Sequence, residues 1–132
     1  GSVVMVGPGW AALPSIALNM PGSILFSEAV AVNLLAGATG SASGGMSIAL
    51  SALGPKYAEM AAGNTGVLEA LHRIASISSG GLDTLPHNGA VLTLLAVSNC
   101  THKESYIDIC ITTCIIPLVS SLGLALIWGL FL

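Results

Sequence analysis

Nine of the 132 residues carry a formal charge, at Glu28, Lys56, Glu59, Glu69, Arg73, Asp83, Lys103, Glu104 and Asp108. The uncharged runs between them cover 1–27, 29–55, 84–102 and 109–132. Each run is close to the ~20 apolar residues that a helix needs to cross a hydrocarbon core of ~30 Å. Soluble domains carry roughly 25% charged residues, against 7% charged and 54% hydrophobic residues here, with a mean hydropathy of +0.90. The spacing of the charges therefore predicts a membrane protein. At ~20 residues per span, the length admits about five passages at most. A net charge of −3, 5% aromatic residues and the absence of any basic stretch exclude a nucleic-acid partner.

A signal peptide would need a basic start, whereas this sequence opens on Gly1-Ser2 and its first positive charge is Lys56. The small number of spans and the missing Met lead to the expectation of a fragment, one half of a larger permease. Cys100, Cys110 and Cys114 are odd in number, and the latter two stand one helical turn apart. They are read as small packing residues, since free Cys behaves as a buried small hydrophobe. Cys100 and His102 are too few for a zinc site, and neither a metal nor a cofactor is expected.

The run from Ile109 to Leu132 is the cleanest span, since its length at 1.5 Å per residue gives roughly 36 Å. Pro117 predicts a kink within it. Lys103, Glu104 and Asp108 mark the wet end, with Thr101 or Ser105 available as a cap, so the final span is placed at 105–132. In the opening run, Gly7-Pro8-Gly9, Pro14 and Pro21-Gly22 predict a membrane segment over 9–20, then a turn, then a helix from Ser23 to Ala36. A second short helix is expected over 46–53. Residues 37–45, between these helices, include no large side chain. One reading is close helix packing through the G-x-x-x-G spacing of Gly40 and Gly44. The other is the tip of a re-entrant hairpin over 23–53, because unwound backbone at membrane depth must be protein-buried or line a wet cavity. Thr39, Ser41 and Ser43 favour the hairpin.

Residues 54–73, with Lys56, Glu59, Glu69, Arg73 and His72, read as the main aqueous connection, and Asn64 as a helix start. Val67, Leu68, Leu71, Ile74 and Ala75 then recur at helical spacing. From Ile74 to Asn99 the chain is apolar at both ends and interrupted between Ser79 and Gly89, where Gly80, Gly81, Pro86 and Gly89 oppose a continuous helix. The pattern predicts a discontinuous helix over 74–99. Half-helix N-termini at membrane depth attract anions, so the N–H groups from Asn88 to Val91 are candidates to hold a carboxylate. Ser41, Ser43, Thr84 and Asn88 are the expected substrate ligands, with Ser79 in reach. Asp83, costly in a membrane unless functional, and His87, which titrates near neutral pH, are the expected proton-coupling pair. An ordinary aqueous loop over 83–88 is the alternative, opposed by apolar arms too short to cross separately. Glu28 is either a member of the site or an interfacial partner of a helix dipole. His72 and His102 read as interfacial.

No nucleophile elbow, phosphate-binding loop or H-E-x-x-H motif is present, and no enzyme is expected. The stretches NLLAGATGSASGGMSIALSALG (33–54), LHRIASISSGGLDTLPHNGAVLTLLAV (71–97) and THKESYIDI (101–109) resemble the C-terminal part of the gluconate permease (GntP) family. The likeness is greatest to the branch handling hydroxybutyrate and other short organic acids. It implies an all-α polytopic membrane protein, one half of an inverted-repeat transporter, in the bacterial cytoplasmic membrane. It further implies proton-coupled symport of a small organic anion, gluconate or hydroxybutyrate-like, with a missing N-terminal half as partner. Sugar-acid members carry more Thr and Val where this chain has Ser43-Gly44-Gly45, which favours a short monocarboxylate. A non-transporting membrane subunit or helix-packing scaffold is the alternative function, and self-association into a homo-oligomer stays open.

Overall fold

The computed structural model describes Ala12, Ser15, Ile16 and residues 19–132. The membrane segment expected over 9–20 falls largely outside the described residues. All regular elements among the described residues are helical.

Helix α1 (Ile24–Thr39) starts at Ser23, whose Oγ accepts a hydrogen bond from Phe26 N at 3.3 Å. It ends at Gly40, which takes a left-handed conformation with φ 59°. Leu25, Ala29, Val32 and Ala36 are buried on it, and so are Ser27, Glu28 and Asn33. Leu34 and Ala38 leave one exposed stripe, and the rest of α1 packs against α2 (Ala42–Met60), α3 (Thr65–Ser79) and α6 (Ile116–Phe131).

The link from α1 to α2 is Gly40-Ser41, and Ser41 Oγ caps α2 by accepting from Gly44 N at 3.2 Å. The small-residue stretch 37–45, expected to unwind, is thus helical on both sides of two residues. The reason lies in packing. A Cβ on Gly45 would overlap the Ala36 backbone and stand 2.7 Å from the Leu35 carbonyl carbon, while a Cβ on Gly37 would lie 3.0 Å from Leu82 Cβ. Close packing therefore holds at Gly45 and Gly37. The Gly40/Gly44 spacing does not supply it: Gly40 makes the turn, and Gly44 faces Ser41 of its own cap. Helix α2 then continues through Pro55 to Met60, further than the short helix expected over 46–53.

Asn64 starts α3, its Oδ1 accepting from Gly66 N at 3.0 Å and Val67 N at 3.4 Å. Leu71, Ile74 and Ala75 face the core, whereas Leu68 is exposed. After the break over 80–88 comes α4 (Gly89–Ser98), closed by Asn99 in the left-handed region at φ 53°. Helix α5 (His102–Cys110), a π-helical turn (Ile111–Ile115) and α6 form one continuous helix of 30 residues. Among the described residues it is the one helix long and apolar enough to cross a membrane. Its start is fixed by Glu104 Oε2, which accepts from Thr101 N at 2.8 Å and Thr101 Oγ1 at 2.7 Å. A π turn stands just before Pro117, where a kink is expected. Proline cannot donate to the preceding turn and its ring crowds that carbonyl, and a widened turn gives it room. The core is built of small residues interleaved with Leu25, Leu53, Tyr57, Leu71 and Ile74, and a second cluster joins Val32, Leu35, Ala49 and Ala75.

Candidate functional site

The two chain breaks meet at Asn88. Its Oδ1 accepts from Ala90 N at 2.6 Å and Val91 N at 3.1 Å, which caps α4. Its Nδ2 donates to Gly40 O at 2.8 Å, the apex of the α1–α2 turn, and to Asp83 O at 2.7 Å. With four hydrogen bonds and 6% exposure, Asn88 joins the break at 40–41 to the break at 80–88. The His87 ring lies against the same apex, 3.2–3.3 Å from where a Gly40 Cβ would stand. Gly40 is thereby held to glycine twice, by its positive φ and by His87.

The loop over 80–88 runs along the final helix. At its deep end a Cβ on Gly81 would overlap Asn33 Oδ1 of α1 and lie 3.5 Å from Leu118 Cα. Midway, Thr84 Oγ1 shares a hydrogen bond with Thr113 Oγ1 at 2.6 Å and lies 3.2 Å from Cys114 Sγ. Tyr106 OH donates to Thr84 O at 3.2 Å, and His102 Nε2 stands 3.1 Å from Pro86 O at the start of the helix. Asp108 is the last charge of that helix, and Leu118 is ten residues beyond it. At 1.5 Å per residue the separation is about 15 Å, half of a ~30 Å hydrocarbon core.

The expected site residues are distributed as follows. Asp83 and Thr84 are partly buried in the loop, His87 is exposed, and Asn88 is buried. Ser41 serves as the α2 cap and is partly buried, while Ser43 is exposed in the first turn of α2. Gly40-Ser41 and 83–88 are thus brought together through Asn88 and His87. The Ala90 and Val91 N–H groups, candidate carboxylate donors, bond instead to Asn88. Ser79 is buried, and its Oγ donates to Ser76 O at 2.8 Å. Cys114 is buried and Cys100 and Cys110 are partly so, all three as free thiols.

Apart from Glu28, weighed from sequence as a member of the site, sequence reasoning missed a polar layer inside the bundle. Asn33 on α1 donates from Nδ2 to Ala29 O at 2.8 Å and to Ser121 Oγ on α6 at 3.1 Å. Ser27 Oγ and Tyr57 OH share a hydrogen bond at 3.0 Å. Glu28 Oε2, Asn33 Oδ1 and Ser78 Oγ are buried without a hydrogen-bond partner. The available signal was weak: Asn33 and Ser121 are polar residues within otherwise apolar runs, but their pairing joins opposite ends of the chain.

No family model matches the chain. No solved structure matches it either. Over 109 residues it is 48% identical to the Bacillus subtilis (strain 168) protein named Uncharacterized transporter YxjC, a match that covers 83% of this chain and 23% of that protein. The chain spans about a quarter of the length of this curated relative.

Proposed function

We propose that this chain forms part of a secondary transporter in the bacterial cytoplasmic membrane, carrying a small organic anion together with a proton. The transport reading is supported by the likeness to a protein named as a transporter and by a helix long and apolar enough to span a bilayer. The observation that carries the site is the approach of Gly81 to Leu118. It sets the end of α3 about halfway along the apolar part of the final helix, with Asp83 and Thr84 between that depth and the wet end. An interrupted helix at such depth suits an ion or substrate site, because irregular backbone there requires a protein-lined or water-filled surrounding.

In this reading α1 and α2 form the re-entrant hairpin, and α3 and α4 are the two halves of the discontinuous helix in one repeat of an inverted-repeat fold. Asn88 positions the loop through its four bonds. Ser43, Thr84 and the Ser41 turn offer hydroxyl groups to the anion. Asp83 and His87, on the same loop, are the pair that couples proton movement to the anion. The departures at Ser43-Gly44-Gly45 favour a short monocarboxylate of the hydroxybutyrate type over gluconate.

Uptake of labelled hydroxybutyrate and gluconate by cells expressing the full protein tests the proposal. Wild type accumulates one of them, and Asp83→Asn and His87→Ala each lower the rate by about tenfold, equivalent to ~1.4 kcal/mol. Unchanged uptake in both variants contradicts the assignment. The close approach of Gly45 to Ala36 favours a second reading, a helix-packing scaffold without transport, for which neither anion is taken up by wild type.

A further inference from the structure

Glu28 is 2% exposed at the centre of the bundle, and its Oε2 meets no hydrogen-bond partner. It borders a cavity of about 190 Å³ between α1, α2 and α3, lined also by Leu50, Tyr57, Leu68, His72 and Ala75. The ionisable groups on that cavity besides Glu28 are Tyr57 from α2 and His72 from α3. Helix α6, which also packs on α1, has no ionisable side chain. The nearby bases do not neutralise Glu28: Lys56 is exposed, and Arg73 pairs with Glu69 at 3.6 Å while lying over the Trp128 ring.

An unpaired carboxylate in such a place is expensive, so Glu28 must hold either a cation or a proton. A hard metal cation wants about six oxygen ligands. Among the residues that line the cavity, the one side-chain oxygen besides the Glu28 carboxylate is the Tyr57 hydroxyl, already bonded to Ser27 Oγ, and the rest of the wall is largely aliphatic. A proton needs no such shell. His72, exposed on α3, sets the water-facing edge of the cavity.

Resting on the transport reading above, we propose that Glu28 is a buried proton carrier. A proton from water enters past His72, forms an O–H bond on the Glu28 carboxylate, and returns to water when the bundle rearranges. Asp83 and His87 couple a proton at the anion's loop, and Glu28 carries a proton at a second place, inside the bundle.

The test uses the full protein in lipid vesicles with two readouts. Infrared spectra at neutral pH show the carbonyl band of a protonated carboxylic acid in wild type, and Glu28→Gln removes it. Under an inward proton gradient Glu28→Gln lowers accumulation of the organic anion by about tenfold or more, while exchange of internal for external anion continues. A carbonyl band that survives in Glu28→Gln, or gradient-driven accumulation equal to wild type, overturns the proposal. If wild type transports neither anion, the transport reading fails, and the infrared band alone decides whether Glu28 holds a proton. If Glu28→Gln does not fold, Glu28→Asp replaces it: the band shifts to the aspartic acid position if Glu28 carries the proton, and an unshifted band overturns the proposal.

Discussion

Asn88 shows how one side chain organises a break in a helix. Its oxygen takes the first N–H groups of α4, and its nitrogen takes two carbonyls, one local and one from the hairpin apex. Asn88→Ala removes a cap worth about 1–2 kcal/mol and leaves Gly40 O and Asp83 O without their donor. Asn88→Asp keeps the cap but sets an oxygen against those two carbonyls, so it does not restore stability. Thermal unfolding of the purified variants checks this, and an Asn88→Asp variant as stable as wild type contradicts it. Caps of this kind are readable from sequence because their partners lie within a few residues, as at Asn64 and Thr101. The bond from Asn88 to Gly40 and the pairing of Asn33 with Ser121 are not, because they depend on which helices become neighbours. Gly81 makes the same point: its turn-forming tendency was visible, but the need to leave room for Asn33 Oδ1 was not.

At the scale of elements, close helix contact and loop anchoring make separate predictions. Gly45→Ala places a methyl group into the α1 backbone, which cannot yield as a flexible side chain would, and is expected to cost about 1–3 kcal/mol. Gly123→Ala on α6 meets nothing within 4 Å and is expected to be neutral or to stabilise by up to about 1 kcal/mol through helix propensity. Equal unfolding midpoints for the two variants would contradict the packing account. Thr84→Val and Thr113→Val each remove the hydrogen bond that ties the loop to the final helix, at about 1 kcal/mol apiece. Because they share that bond, the double variant costs less than the sum by about 0.5 kcal/mol or more. Strict additivity would mean that the loop is not anchored there. The stretch 37–45 was only half readable, since Gly, Ala and Ser are equally the material of an unwound tip and of two helices in close contact. Composition cannot separate these, and the position of Gly45 against Ala36 does.

For the whole molecule, membrane character was the most readable property, because it is a sum over many residues and survives any error of boundary. The polarity is arranged accordingly: Glu28, Asn33, Ser78 and Ser121 are buried, while Leu92, Leu94, Val97, Ile107, Val119 and Leu130 are exposed. The candidate site was readable in part, since Gly and Pro mark both breaks. Their meeting through Asn88 and the interior place of Glu28 required the fold. The central claim is that the two breaks form one water-accessible site occupied by a small organic anion. Cysteines introduced as Ser43→Cys and His87→Cys into a cysteine-free full protein, probed with a membrane-impermeant maleimide, test it most directly. The expected result is that both positions are labelled, that hydroxybutyrate or gluconate slows their labelling, and that Val119→Cys on the exposed apolar face stays unlabelled. Labelling at Ser43→Cys and His87→Cys that is absent, or that neither anion slows, would contradict it.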